Sequence, residues 1–225
     1  MIRALIFDFD GLILDTELPA FQTWQEIYQA YGCSLSLSTY ATCIGSPGLF
    51  DPHEYLEAQL GRSLDREAIR WQRHQHYMEL TQGQSVLPGV TDYIADAKRL
   101  GLKLGLASSS SRDWVTGHLS RLGLRAHFDC IKGADDVEHL KPDPELYQTV
   151  LEALDLRADE AIALEDSPNG ILAAKRAGIL CVAVPNALTR QLLLEQADLR
   201  LTSLAEVPLE NLLLQVRKTA AFAGR

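Results

Sequence analysis

Short apolar segments alternate with amphipathic segments from residue 87 to the end of the chain, and this alternation constrains the fold most. Within the amphipathic segments, apolar residues recur at the spacing of a helix. Apolar runs between such helices are typical of parallel strands whose two faces are both covered by helices. We therefore predict an α/β fold, a Rossmann-like doubly wound parallel sheet. The predicted strands cover residues 4–9, 103–107, 128–131, 161–164, 180–184 and 199–201, and the predicted helices between them cover residues 90–100, 112–122, 144–154, 169–177, 189–196 and 209–220.

Residues 17–84 interrupt this alternation. Here apolar and aromatic residues recur at helical spacing with no strand pattern between them. The pattern predicts short helices over residues 19–31, 38–43, 52–60 and 65–80. We interpret the aromatic residues as the core of this segment, because large aromatic side chains are mostly buried. The sequence thus predicts a core domain of residues 1–16 and 85–225, and an α-helical cap domain of residues 17–84 inserted into it.

Composition and charge exclude several classes of function. No apolar run approaches the roughly 18 residues of a membrane helix, so we expect no membrane partner. The net charge of −9 argues against a nucleic-acid partner, because nucleic-acid binding depends on clustered lysine and arginine. The chain opens directly into a predicted strand without a secretory signal, and its four cysteines form no CxxC pair. We therefore expect a cytoplasmic monomer with reduced thiols.

Two aspartates, Asp8 and Asp10, end the first predicted strand. Because side chains of a strand alternate between its faces, both leave the same side of the sheet edge. Gly11 then allows a sharp turn. Ligands of open parallel sheets bind outside the carboxyl ends of the strands, and a buried, unpaired carboxylate would be costly. The pair therefore indicates a binding site; the alternative is that both are solvated acids at a strand end.

Hydrogen-bond donors follow two other predicted strands. Four serines occupy residues 108–111, and the donors of Ser108 and Ser109 could either bind an anion or cap the next helix. Lys141 lies just before a predicted helix and could either bind an anion through its ammonium group or remain solvated.

Two acids, Glu165 and Asp166, end the fourth predicted strand, where adjacent carboxylates repel each other unless a cation lies between them. With Asp8 and Asp10 they form an oxygen-rich cluster of the kind that Mg²⁺ prefers, while serine and lysine donors suit a phosphate dianion. The combination indicates phosphoryl transfer. Asp8 could attack phosphorus, and Asp10 could protonate the leaving oxygen and later deprotonate water.

These motifs resemble those of the haloacid dehalogenase superfamily, in the branch that contains β-phosphoglucomutase and related phosphatases. The resemblance spans essentially the whole chain and rests on Asp8-Phe9-Asp10-Gly11 with Asp15-Thr16, Ser108, Lys141-Pro142 and Glu165-Asp166, in that order. It implies an enzyme, a Mg²⁺-dependent phosphoric monoester hydrolase that acts on a small phosphorylated metabolite through an aspartyl phosphate.

The resemblance also implies a role for each motif. The nucleophile would be Asp8, and the general acid and base would be Asp10. The phosphate-binding residues would be Ser108, Ser109 and Lys141. The Mg²⁺ ligands would be the side chains of Asp8 and Asp166 and the backbone carbonyl of Asp10, with Glu165 acting directly or through a further contact. The supporting residues would be Gly11 and Thr16.

The chain departs from the mutases of this branch, which carry a histidine soon after the first Asp-Thr pair and an arginine in the first cap loop. Here residues 17–21 contain no histidine, and residues 44–49 contain no arginine. Because serine or proline does not replace an arginine fork on phosphate, we favour hydrolysis over mutase chemistry. In the cap, Gly45, Ser46 and Arg70 are candidate substrate contacts, although a solvated helix face also explains Arg70.

Two alternatives from other classes stay open. A receiver-type signalling domain also gathers acids, a hydroxyl and a lysine around Mg²⁺, but its phosphoacceptor follows a third strand and it lacks a helical insert of this size. A binding module that lost turnover would not need an acid and base at Asp10. No feature of the sequence names the ester that is cleaved.

Overall fold

The computed structural model describes residues 1–44 and 50–223, without the side chains of Cys43 and of residues 217–223. The strands are β1 (Ala4–Phe7), β2 (Lys103–Ala107), β3 (Cys130–Lys132), β4 (Ala161–Glu165), β5 (Leu180–Ala183) and β6 (Leu199–Arg200). They form one six-stranded sheet in the order β3-β2-β1-β4-β5-β6, and every neighbouring pair is parallel. Strand β1, which carries the first motif, therefore lies between β2 and β4, which carry two of the others.

The helices are α1 (Glu17–Ala30), α2 (Leu37–Tyr40), α3 (Pro52–Leu60), α4 (Arg66–Gln82), α5 (Val90–Arg99), α6 (Arg112–Arg121), α7 (Glu145–Leu154), α8 (Pro168–Arg176) and α9 (Leu209–Ala223). Helices α5, α6 and α9 cover one face of the sheet, and α7 and α8 cover the other. In β1, Leu5 and Phe7 pack on the first set, whereas Ala4 and Ile6 pack on the second. Because both faces are covered, the buried parts of the central strands are apolar, and the predicted doubly wound parallel sheet is confirmed.

Helices α1 to α4 share a hydrophobic cluster of their own, which includes Trp24, Tyr28 and Leu56. One buried member, Leu188, comes from the segment after β5. Residues 17–44 and 50–82 thus contain the helices that the sequence predicts, and their status as a separate cap domain stays a prediction. In the described part of the chain, no helix is both long enough and apolar enough to cross a membrane.

The helix predicted over residues 189–196 is wrong. The chain makes a single 3₁₀ turn at Thr189–Gln191 and then becomes extended. Leu194 is buried and Leu192 packs on the same cluster, whereas Leu193 between them is 80% exposed. This alternation belongs to an extended segment, and a run of three leucines does not distinguish it from a helix.

Other boundaries shift by a few residues. Strand β1 ends at Phe7 rather than at residue 9, because the chain turns at Gly11, whose φ is 81°. Strand β3 begins two residues later than predicted, after a 3₁₀ turn at Arg125–His127. The helix predicted over residues 38–43 is divided into α2 and a 3₁₀ turn at Ala41–Cys43.

Candidate active site

Lys141 lies in a buried ion-pair network at the carboxyl ends of β1, β2 and β4. Its side chain is 2% exposed, and Nζ donates to Asp8 Oδ1 (2.6 Å), to Glu165 Oε1 (2.7 Å) and to the carbonyl of Ala107 (2.9 Å). These three contacts use the three donors of an ammonium group. Burial alone would lower the pKa of Lys141, but the Asp8 and Glu165 carboxylates outweigh burial and raise it. Lys141 is therefore a fixed positive charge.

Glu165 is fully buried, and both of its carboxylate oxygens have donors. Oε1 accepts from Lys141 and from the hydroxyl of Tyr147 (2.7 Å). Oε2 accepts from the Ser167 hydroxyl (3.3 Å) and from the backbone N–H groups of the two residues that follow Glu165. These contacts hold Glu165 in place and direct it towards Lys141.

Three buried carboxylates, those of Asp8, Glu165 and Asp166, place one oxygen each within 4.8 Å of one another. Burial raises the pKa of Asp8 to about 8, with Lys141 opposing this shift and the neighbouring acids adding to it. Burial and the charges of Asp8 and Glu165 also raise the pKa of Asp166 well above its ordinary value. The donors of the chain therefore do not balance the negative charge that this cluster carries when its acids are ionised. Such a set of oxygens could hold a divalent metal ion.

Asp166 is held by Asn186, a buried residue that follows β5. The Asn186 amide nitrogen donates to Asp166 Oδ2 (2.8 Å) and to the carbonyl of Gly11 (3.1 Å). A Cβ atom on Gly11 would overlap both the Asp166 carboxylate and the Asn186 amide, and the φ of Gly11 is in the left-handed region. Glycine is therefore required where the turn after β1 approaches the acids.

Asp10 accepts four side-chain hydrogen bonds. Oδ1 accepts from the Thr16 hydroxyl (2.8 Å) and from the Trp114 indole N–H (3.1 Å). Oδ2 accepts from the hydroxyls of Ser110 (2.7 Å) and Ser108 (3.2 Å). Donors from the first motif, from the loop after β2 and from α6 thus fix the Asp10 carboxylate.

The structure brings most of the predicted site residues together. Asp8, Lys141, Glu165 and Asp166 share one network, and Asp10 is joined to Thr16 and Ser108. Ser109 lies in the same loop as Ser108 and is half-buried. Arg70 lies exposed on α4, and Gly45 and Ser46 fall outside the described residues. The chemical roles given to these residues stay predictions.

Sequence reasoning missed four residues of the site: Ser110, Trp114, Tyr147 and Asn186. Ser110 belongs to the run of serines, of which only the first two were selected. Asn186 could have been found, since it follows a strand end, β5, at the edge of the sheet where ligands bind. Trp114 and Tyr147 lie inside helices, and no local pattern distinguishes them from core residues.

Comparisons with known proteins agree with this geometry. The sequence model of the haloacid dehalogenase-like hydrolases matches residues 5–184. A Bacillus subtilis (strain 168) protein named "Putative phosphatase YhcW" is 48% identical over 213 residues, which cover 95% of this chain and 97% of that protein. The phosphorylated carbohydrates phosphatase of Thermotoga maritima is 32% identical over 181 residues, which cover 79% of this chain and 82% of that protein.

Among solved structures, a "putative beta-phosphoglucomutase" from Thermotoga maritima superimposes with a TM-score of 0.75. It is 29% identical, and the match covers 96% of this chain and all of that one. The family match thus extends over most of the chain, and both of the relatives described above carry phosphatase names. The chain therefore belongs to the haloacid dehalogenase-like hydrolases, as a phosphoric monoester hydrolase.

Proposed function

We propose that this hydrolase is a Mg²⁺-dependent phosphatase that cleaves a small phosphate monoester, such as a sugar phosphate, through an aspartyl phosphate on Asp8. The observation that carries the proposal is the buried contact of Lys141 with Asp8, next to the acids Glu165 and Asp166. One lysine among three buried acids leaves a site that needs further positive charge. A nucleophile held by a fixed cation in such a site suits attack on a phosphate dianion.

The donor set fits Mg²⁺, because its oxygens are buried and close together, and their charge is not compensated by the chain. Asp8, Asp166 and the backbone carbonyl of Asp10 would hold the ion. Glu165 would act through Lys141, since both of its oxygens already accept hydrogen bonds. Bound Mg²⁺ would offset the negative charge of the phosphate and of the transition state.

In the first half-reaction, an oxygen of Asp8 attacks phosphorus and the bond to the ester oxygen breaks. Lys141 keeps Asp8 in position and balances the negative charge of the incoming phosphate. Asp10 gives its proton to the leaving oxygen, so the alcohol departs neutral and Asp8 carries the phosphoryl group. Serine donors after β2, including Ser108 and Ser109, would bind phosphate oxygens.

In the second half-reaction, water replaces the alcohol and Asp10, now a carboxylate, takes its proton. The resulting hydroxide attacks phosphorus, the bond to the Asp8 oxygen breaks, and inorganic phosphate leaves. Asp8 and the protonated Asp10 are then regenerated. The same side chain serves as acid and then as base because the two steps are near-mirror images.

Small sugar phosphates are the proposed substrates because the Thermotoga relative is named for phosphorylated carbohydrates. We also propose that residues 17–84 act as a cap that covers the substrate and excludes water. Mutase chemistry is the runner-up. Residues 17–21 lack histidine and residues 44–49 lack arginine, and these are the residues that would control and grip a second phosphate.

The test is phosphate release from a panel of sugar phosphates, nucleoside monophosphates and phosphoglycolate, measured with Mg²⁺ and with EDTA. Isomerisation of glucose 1-phosphate is measured in parallel. We expect Mg²⁺-dependent hydrolysis of at least one sugar phosphate, and loss of that activity in Asp8→Asn. Asp92→Asn, which changes an exposed aspartate of α5, is the matched control and keeps wild-type activity.

Three results would contradict the proposal. Full activity in EDTA would contradict the requirement for a metal ion. Efficient interconversion of hexose phosphates without net phosphate release would favour the mutase. A stable, stoichiometric phosphoprotein without turnover would favour a receiver-like signalling role.

A further inference from the structure

Trp114 contacts both the carboxylate of Asp10 and helix α4 of the inserted helical segment. It lies on α6, in the first turn after the serine loop. Its indole N–H donates to Asp10 Oδ1, the same oxygen that accepts from Thr16. The ring also contacts Tyr77 on α4, where the two rings stack with centroids 5.4 Å apart and planes 19° apart.

The rest of this helix face fixes the indole in place. The His118 ring, one turn further along α6, meets Trp114 edge-on with centroids 4.2 Å apart. A further turn along, the Arg121 guanidinium donates to the carbonyl of Gln84 (3.0 Å), just beyond the end of α4. Helix α6 of the core therefore contacts α4 along a line from Trp114 to Arg121. The indole cannot turn away from Asp10 without disturbing the Tyr77 stack or the His118 contact.

The electrostatic environment supports the same connection. Burial and the nearby charge of Asp10 raise the pKa of Tyr77 above its ordinary value. This shift accompanies the geometric link, in which the Tyr77 ring stacks on the indole that donates to Asp10.

We infer that Trp114 is a positioning residue for Asp10 and makes the alignment of this carboxylate depend on the docking of α4 through Tyr77. The inference rests on the proposed function, in which Asp10 protonates the leaving oxygen. With α4 docked, the Tyr77 stack holds the indole and its N–H fixes Asp10 Oδ1. When α4 moves away, the indole loses its stacking partner and Asp10 loses one of two donors on that oxygen. Protonation of the leaving group is thereby tied to a covered, water-excluding site.

The test separates the hydrogen bond of the indole to Asp10 from its stack on Tyr77. Trp114→Phe keeps a ring for the Tyr77 stack but removes the N–H. Tyr77→Leu removes the stack but leaves the N–H. Trp71→Phe is the matched control, because Trp71 lies on α4 but is 70% exposed. The kcat/KM of each variant is measured with glucose 6-phosphate or another alkyl phosphate that the wild type cleaves, and with p-nitrophenyl phosphate.

The two esters differ in their need for acid catalysis. An alkoxide must be protonated as it leaves, whereas p-nitrophenolate leaves without a proton. Because kcat/KM reports the steps up to departure of the alcohol, loss of a positioned acid lowers it for the alkyl ester only. We expect Trp114→Phe and Tyr77→Leu each to lower kcat/KM for the alkyl ester roughly tenfold or more, and for p-nitrophenyl phosphate by less than about threefold. The double variant should lose little more than Trp114→Phe alone, since both changes act on one contact.

Equal losses for both esters, or additive losses in the double variant, would overturn the inference.

Fluorescence gives a readout that does not require turnover. In the wild type, in Tyr77→Leu and in Trp71→Phe, the emission of Trp114 is the difference between the spectra with and without the added Trp114→Phe change. This emission should shift to longer wavelength in Tyr77→Leu and should not shift in Trp71→Phe. An unchanged emission would contradict the link to α4. Failure of the wild type to cleave any ester would instead contradict the proposed function.

Discussion

In the absence of metal, the protein should lose stability as the pH rises from 6.5 to 8, and Mg²⁺ should abolish this loss. The cause is Asp8, whose pKa burial raises to about 8 in the folded protein, far above its ordinary value of 3.8. Between these two values the folded state keeps a proton that the unfolded state has released. The stabilisation that this proton gives is therefore complete below the pKa of Asp8 in the unfolded chain. It is lost as the pH rises through the pKa of Asp8 in the folded protein.

The magnitude follows from the linkage relation. For one group with a folded pKa near 8, the free energy of unfolding falls by about 1.5 kcal/mol between pH 6.5 and 8. The raised pKa of Asp166 changes it in the same direction. For a chain of this size, this corresponds to a fall in Tm of about 3–6 °C. The pH range begins at 6.5 because two histidines would oppose the effect at lower pH. Burial lowers the pKa of His53 and of His118, so their contribution to the free energy of unfolding rises with pH, but only up to the pKa of a histidine in the unfolded chain.

The assay is urea unfolding at 25 °C across this pH range, in EDTA and in saturating Mg²⁺. Asp8→Asn in EDTA should be more stable than the wild type at pH 8, because the amide removes a buried charge without changing the shape of the side chain. Asp92→Asn should follow the wild type. A stability that is flat or rises from pH 6.5 to 8 in EDTA, or that does not increase with Mg²⁺, would refute the argument.

Two further predictions test how the acid cluster is held. Asn186→Ala should weaken Mg²⁺ binding about tenfold in calorimetry, because Asp166 loses the amide that orients it, and excess Mg²⁺ should restore most of kcat; an unchanged Kd would contradict this role. Gly170→Ala should destabilise the protein and lower kcat, because its Cβ would overlap the Glu165 carboxylate. The control is Gly117→Ala, whose Cβ would have no neighbouring atom within 4 Å; it should be neutral or stabilising by up to about 1 kcal/mol. Similar melting temperatures for the two alanine variants would show that the contact with Glu165 does not constrain this site.

The sheet and the central part of the site could be predicted because both follow from local pattern. Strands β1 and β4 are buried on both faces, so β1 is apolar throughout, β4 is apolar up to Glu165, and the ends of both are easily located. The rule that ligands bind at the carboxyl ends of parallel strands then places Asp8, Lys141 and Asp166 at one edge. The observed contacts of Lys141 agree with that placement.

The missed features depend on tertiary contacts that no local pattern encodes. The Trp114 contact with Asp10 requires knowing how α6 lies beside the turn after β1, and a tryptophan in an amphipathic helix usually indicates core. Asn186 could have been selected because it follows a strand end, but its contact with Asp166 arises only because β5 lies beside β4 in the sheet. The three leucines after Thr189 fit a helix or an extended segment equally well, and the packing of Leu192 and Leu194 decides between them.

The central claim, that Asp8 carries the phosphoryl group, is tested most directly by trapping the intermediate. The protein is mixed with a ³²P-labelled sugar phosphate that it cleaves, quenched in acid within one turnover, and digested with trypsin. We expect label on the peptide of residues 4–62, with fragmentation placing it on Asp8, and no label in Asp8→Asn. Turnover of the same substrate without any labelled peptide, or label that persists in Asp8→Asn, would contradict it.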